Sequence, residues 1–166
     1  MVTAYIGLGS NLGNRKNNIS KALQNLARLP HTTLLKTSSL YNSSAIGPLQ
    51  RDFVNCIARI ATSQSPPRLL DNLNEIERRM GRRKNKRWGP RLIDLDIIFY
   101  GRNIVSGRRL VVPHREAARR RFVIEPMSEI SPGFVHPVLR ITMRTIRNRL
   151  RLTAKVQKVT MIPWKK

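Results

Sequence analysis

The sequence predicts a single domain that combines α-helices with a β-sheet, and three observations carry that prediction. Around Asp94 and Asp96 the chain alternates at period two, with Ile93, Leu95 and Ile97 on one side of an extended strand and both aspartates on the other. Two stretches repeat apolar residues at helical spacing: Ile19, Ala22, Leu23, Leu26 and Leu29, then Leu69, Leu70, Leu73, Ile76 and Met80. Strand-like and helix-like stretches follow one another over 166 residues, a length suited to one core, with no repeat or linker dividing it.

Val2–Leu8 is a short apolar run and reads as the first strand. Gly7, Gly9 and Gly13 interrupt it, with Ser10 and Asn11 supplying turn and cap chemistry. GLGSNLG matches neither the P-loop nor the dinucleotide fingerprint, so close packing against a neighbouring backbone is favoured over phosphate contact. A helix is expected from Asn17 to Leu29, where Pro30 stops it, and a second strand over Thr32–Tyr41. Strand, helix, strand implies a crossover within one sheet. Asn42–Arg51 is polar, contains Gly47–Pro48 and is long for a hairpin loop, which makes it a binding-loop candidate, with Asp52 as a turn residue beside it. Phe53–Thr62 reads as a third, well buried strand, in which Cys56 is a small buried hydrophobe.

Pro66 and Pro67 open the second helix after Ser65, and Gly81 ends it. Glu75 and Glu77 are expected to be solvated and paired with nearby arginines. Arg82–Arg87 then reads RRKNKR, five basic residues of six, running directly into Trp88–Gly89–Pro90 and the aspartate strand. So dense a cluster repels itself without an anion, and an anion-binding lid is expected there. Beyond Gly101, Asn103–Ile104 and Arg108–Val112 form a minor hairpin around Ser106–Gly107. Pro113 restricts the backbone before His114. Phe122–Ile130 is a short helix or irregular apolar segment, and His136 is expected at the surface. Val138–Leu150 is a last helix with Val138, Ile141, Thr142, Thr145 and Ile146 inward. Residues 152–166 form a basic tail or an edge strand, with Trp164 either clamped to the body or exposed.

The 32 basic residues against nine acidic give a net charge of +23. Taken alone this points to a polyanion partner such as RNA, DNA or an anionic membrane surface. Aromatics are only 5% and no RNP-type or zinc pattern occurs, so no specific nucleic-acid function is expected, though non-specific polyanion binding is. One cysteine excludes a disulfide framework or cysteine metal site. No apolar run approaches a membrane span, and Met1–Leu8 has no basic leader, so a cytoplasmic protein without membrane attachment is expected.

Two acids inside one of the most apolar runs need a reason. Carboxylates sharing one side of a strand repel each other unless a cation lies beside them. A divalent ion suits the pair: magnesium prefers oxygen ligands and usually takes one or two carboxylates plus substrate phosphates. Arg87 and Arg91 are close enough in sequence to serve a phosphate on that ion. Together with the basic loop before and the arginines after His114, this predicts a phosphate-transfer site built without a P-loop.

The segment RWGPRLIDLDI, Arg87 to Ile97, resembles the hallmark of the 6-hydroxymethyl-7,8-dihydropterin pyrophosphokinase family. The likeness extends to YIGLGSNLG at Tyr5–Gly13, SSLY at Ser38–Tyr41, FVN at Phe53–Asn55, VPH at Val112–His114 and RRF at Arg120–Phe122. It implies an α+β, ferredoxin-like plait: a mostly antiparallel sheet, helices packed on one face, and additional short elements. It also implies magnesium-dependent transfer of pyrophosphate from ATP to the hydroxymethyl group of the reduced pterin, releasing AMP, by one pyrophosphokinase domain acting as a monomer on two small-molecule substrates. By residue match, Asp94 and Asp96 would bind two magnesium ions and, with Arg82 and Arg91, carry catalysis. ATP would be held by Arg82, Arg87, Trp88, Arg91, Ile97, Arg109, His114 and Arg120. The pterin would meet Ser43, Ser44, Ile46, Phe53, Asn55, Asp94 and Phe122. Phe53 stands where many relatives have tyrosine, keeping the stacking face without the hydroxyl.

Overall fold

The computed structural model describes residues 1–45, 50–82, 89–153 and 159–162. In chain order the elements are β1 (Val2–Ser10), α1 (Arg15–Ala27), β2 (Thr32–Thr37), β3 (Leu40–Ser43), β4 (Phe53–Thr62), α2 (Pro66–Arg79), β5 (Asp94–Tyr100), the two-residue strands β6 (Val105–Ser106) and β7 (Val111–Val112), α3 (Arg121–Ile130), α4 (Met143–Thr153) and β8 (Val159–Ile162). Among the described residues the main sheet has six strands, in the order β5-β1-β4-β3-β8 with β2 also paired to β4, and every pairing is antiparallel. The expected crossover is present: β1 and β2 run the same way with β4 between them. This is the α+β plait, with the tail contributing the edge strand β8.

Helices α1 and α2 cover one face of the sheet. Ile19, Ala22, Leu23 and Leu26 from α1 and Leu69, Leu73 and Ile76 from α2 pack on Ile6, Leu8, Val54, Ala58, Leu95 and Ile97. The additional helices α3 and α4 lie over the opposite face, where Val123, Ile124, Met127, Met143 and Ile146 enclose Tyr5, Ile57 and Phe99. This second core is aromatic: Phe99 and Phe134 have ring centroids 4.9 Å apart, and Tyr5 meets Phe99 edge-on. Both helix and strand periodicities therefore serve the same end, apolar residues of opposite elements meeting across the sheet.

Four local expectations are corrected. The strand expected over Thr32–Tyr41 is two strands, because Ser38 leaves the ladder: its Oγ accepts from Ile57 N–H at 3.0 Å and donates to the Ser39 carbonyl at 2.7 Å. The last helix begins at Met143, not Val138. His136 Nδ1 accepts the N–H groups of Val138 and Leu139, Arg140 takes φ +58°, and Thr142 Oγ1 then caps the helix by accepting Thr145 N–H. His136 is thus buried, not at the surface, with its ring edge-on to Phe99, and burial lowers its pKa. Glu77 is buried too, whereas Glu75 pairs with Arg78 and Arg79 in solvent as expected. The minor hairpin pairs Val105 with Val112 and Ser106 with Val111.

β5 carries the irregularity that matters most for the site. Its register against β1 slips between Tyr5 and Ile6, so Ile6 faces Ile97 while Tyr5 faces Phe99. This bulge places Ile98 and Phe99 in the same, aromatic core, while Leu95, Ile97 and Tyr100 belong to the aliphatic one. No helix among the described residues is long and apolar enough to cross a membrane.

Candidate active site

A cavity of about 380 Å³ opens on the aromatic face, beyond the end of the α3–α4 cover. Its floor is β1 at Gly7 and Gly9, and the two glycines make room. A Cβ on Gly7 would meet Ile98 Cδ1 at 3.0 Å, and one on Gly9 would meet Asn55 Oδ1 at 3.4 Å. Side chains in this floor would fill the space that a ligand needs.

Of the residues picked out from sequence, Ser43, Ser44, Phe53, Asn55, Arg91, Asp94, Asp96, His114, Arg120 and Phe122 all line this cavity. Arg82 reaches the same carboxylates from the end of α2, with Nη1 2.8 Å from Asp94 Oδ1. Two expectations fall elsewhere. Ile97 lies in the aliphatic core with Leu95, and Ile98, in phase with Asp94 and Asp96, forms the cavity wall instead. Arg109 pairs in solvent with Asp71 at 2.5 Å and is not part of the wall. Ile46, Arg87, Trp88 and the other residues of the basic loop from Arg83 onward lie outside the described residues, as does Trp164.

Asp94 and Asp96 point to one face of β5, the arrangement read from their spacing. Asp94 is held by Arg82 on one oxygen and by Arg91 Nη1, at 2.5 Å, on the other. Asp96 is more enclosed, and its pKa is raised, first by burial and then by the charge of Asp94, against the lowering pull of His114, Arg91 and Arg120. Behind them stands Glu77, which sequence reasoning missed as a site residue. Its carboxylate accepts the Leu95 N–H at 2.7 Å and ion-pairs with Arg82. Burial, opposed by the Leu95 hydrogen bond and Arg82, raises its pKa to about 7.

The donor set fits a hard divalent cation. It offers only carboxylate oxygens, and a cation would relieve the repulsion that raises Asp96. Among the described residues no group of three or more His, Cys, Asp or Glu could hold a metal alone. An ion at these two aspartates would complete its shell with waters or substrate oxygens, which is magnesium's habit.

The other wall combines an amide, hydroxyls and two aromatic rings. Asn55 Nδ2 donates to Ser43 Oγ at 2.9 Å and to the Tyr41 carbonyl at 3.3 Å. A carbonyl can only accept, so the amide's orientation is fixed and Asn55 keeps its Oδ1 as the acceptor, with both donors engaged. Phe53 and Phe122 supply aromatic surface, and the Arg120 guanidinium lies 5.7 Å from the Phe122 ring centroid. His114 is anchored by its N–H to the Ile98 carbonyl, and its Nδ1 accepts from Glu116 N–H at 3.2 Å, leaving Nε2 as its other hydrogen-bonding end. Gln50 also lines the cavity and was not picked out from sequence.

The family model described as "7,8-dihydro-6-hydroxymethylpterin-pyrophosphokinase (HPPK)" matches residues 5–132. The chain is 43% identical over 148 residues to the 2-amino-4-hydroxy-6-hydroxymethyldihydropteridine pyrophosphokinase of Haemophilus influenzae, covering 89% of this chain and 92% of that one. It is 43% identical over 134 residues to the protein of the same name from Pseudomonas aeruginosa, covering 80% and 83%. Among solved structures, Plasmodium falciparum HPPK-DHPS with SDX-DHP superposes with a TM-score of 0.69 at 16% identity, over 94% of this chain and 45% of that one. The chain thus spans about half the length of that solved protein, and the likeness there is one of fold. With a matching family model over most of its length and relatives of 43% identity covered nearly end to end, the chain belongs to the 7,8-dihydro-6-hydroxymethylpterin-pyrophosphokinase family.

Proposed function

We propose that this chain transfers the terminal pyrophosphate of ATP to the hydroxymethyl oxygen of 6-hydroxymethyl-7,8-dihydropterin, releasing AMP, and so serves folate synthesis. The observation that carries the reading is the cavity itself. One wall has two aspartates among three arginines and a histidine, and the other has two phenylalanines and a fixed amide acceptor.

Phosphoryl-type transfer is catalysed mainly by alignment and by opposing charge. Arg82 and Arg91, held at Asp94, would turn to the phosphate oxygens as nucleotide arrives, and His114 and Arg120 would grip them from the opposite side. Magnesium bound at Asp94 and Asp96, two ions with ATP present, would neutralise phosphate oxygens and lower the pKa of the attacking alcohol. Phe53 and Phe122 would hold the pterin ring by its faces. Asn55 Oδ1 would accept from a ring N–H, and Ser43 and Ser44 would border the ring edge. Glu77 fixes where Arg82 starts. The reading is of a monomer acting on two small molecules in the cytoplasm.

Incubation with ATP, magnesium and 6-hydroxymethyl-7,8-dihydropterin tests the reading by the appearance of AMP. We expect AMP from the wild-type chain and none above background from the Asp94→Ala, Asp96→Ala double variant. No AMP, or equal AMP from both, overturns it.

A further inference from the structure

The cavity's two walls come from segments far apart in sequence, and one buried side chain ties them together. Asn11 follows β1 and is 1% exposed. Its Oδ1 accepts the Arg91 N–H at 2.7 Å, and its own N–H donates to the Arg91 carbonyl at 3.0 Å. Its Nδ2 donates to Gln50 Oε1 at 2.9 Å and to the Arg51 carbonyl at 3.4 Å. Both ends of the amide are therefore used, one toward each wall. Gln50 lies on the ring side, near Phe53. Arg91 lies on the phosphate side and continues to Asp94.

We infer that Asn11 is a positioning residue that holds Gln50 and Arg91 in one fixed relation, so that nucleotide and ring substrate are bound as a coupled pair. The inference rests on the proposed function for the identity of the two ligands, but the coupling belongs to the geometry. A short carboxamide is the side chain that can do this. It offers an acceptor to a backbone N–H and two donors to the opposite side from one planar group, whereas a carboxylate would set oxygen against the Gln50 oxygen and the Arg51 carbonyl. Leaving the Arg91 N–H buried without an acceptor would release that wall, because an unpaired buried donor is costly. Coupling between two ligands is reciprocal, so a residue that carries it changes the effect of each ligand on the other.

Two measurements on the full-length chain test this. The first is calorimetric affinity for the pterin with and without magnesium and a methylene-bridged, non-transferring ATP analogue. The ratio of the two affinities is the coupling. We expect Asn11→Ala to reduce that ratio at least fivefold while each ligand's affinity alone changes by less than threefold. In Asn11→Asp, which keeps the acceptor for Arg91, KM for the pterin should rise with KM for ATP held within twofold. An unchanged ratio in Asn11→Ala overturns the inference, as does a loss confined to Tm with normal kinetics.

The second measurement is hydrogen–deuterium exchange of the free protein, which needs no activity. Asn11→Ala should speed exchange at least tenfold at Arg91 and also in the segment 50–52. Asn11→Asp should do so at 50–52 alone. Exchange altered on neither side in Asn11→Ala overturns the tie directly. If the wild-type chain binds neither ligand while exchange behaves as expected, the proposed function fails and the tie between the walls stands.

Discussion

One face of the sheet is closed by α1 and α2, whereas α3 and α4 cover the other only as far as Tyr5, Ile57 and Phe99 and leave its end open. The same strands serve both faces. β1 sends the Ile6 and Leu8 side chains into the aliphatic core and floors the cavity at Gly7 and Gly9; β5 sends Leu95 inward and Asp94 and Asp96 outward. The closed face supplies folding free energy through aliphatic burial. The open face gives up that burial and gathers charges whose mutual strain a ligand can relieve. Stability and chemistry are thus separated across one layer of backbone, and substitutions on the two faces should fail in different ways.

The largest effect is expected on the open face. Asp96→Asn should lower kcat for AMP release at least about a thousandfold, or about 4 kcal/mol of barrier, with Tm unchanged or raised because a repelled buried charge is removed. A matching loss of Tm would mean that the faces are not separate. On the closed face, fully buried Leu73 should show the reverse pattern. Leu73→Ala should cost about 3 kcal/mol in urea unfolding, with kcat per folded molecule preserved.

Glu77 sits at the join of the two, anchored on α2 and bonded to Leu95 and Arg82. Its folded pKa of about 7 lies above the usual 4.5, so the folded state binds more protons than the unfolded state between those values. Stability therefore falls as pH rises from about 4.5 to about 7 and levels off above that, by up to about 3 kcal/mol. Unfolding midpoints of Glu77→Gln followed over pH 5 to 8 should lack this part of the slope. An unchanged slope would place the proton elsewhere.

Smaller effects sharpen the division within the open face. Phe122→Ala should raise KM for the pterin about tenfold to a hundredfold, the scale of one lost stacking plate, and leave KM for ATP nearly unaltered. The smallest belongs to Arg109, which pairs with Asp71 outside the cavity. Arg109→Ala should change KM for ATP by less than twofold, and a tenfold rise would show that this arginine swings to the nucleotide after all.

Much of this was legible in the sequence, for identifiable reasons. Period two around Asp94 and Asp96 showed both carboxylates on one side, and β4 and α2 begin where Phe53 and Pro66 indicated. What stayed hidden depends on partners distant along the chain. Glu77 reads as one more surface glutamate of an arginine-rich helix until Leu95, 18 positions on, offers its N–H. His136 looked exposed because neither its two local N–H donors nor the Phe99 ring can be seen in a loop sequence. Ser38 broke a strand that its threonine-rich surroundings favoured, through a hydroxyl bond to Ile57. Asn55 was identified as a ring-reading residue, but its donors are spent on Tyr41 and Ser43. Ile97 was taken as a nucleotide contact from the family resemblance, although period two already set it with Leu95 on the face away from the aspartates, where the structure has it.

That bulge opposite Tyr5 and Ile6 also decides what kinds of genetic change β5 can absorb. Upstream of it the strand is phased to the carboxylates, and downstream it is phased to Phe99 in the aromatic core. A point substitution alters one position and leaves both phases intact. Deleting Ile98 would remove the extra residue and restore strict alternation while Asp94, Asp96 and Phe99 keep their own face; what it would cost is the cavity wall that Ile98 builds over Gly7. Deleting Leu95 has no such outlet, because it would turn one of the two aspartates toward the aliphatic packing. Length variation among homologous chains should therefore collect in the connecting loops and spare Asp94, Leu95 and Asp96, even where other identities in the strand drift.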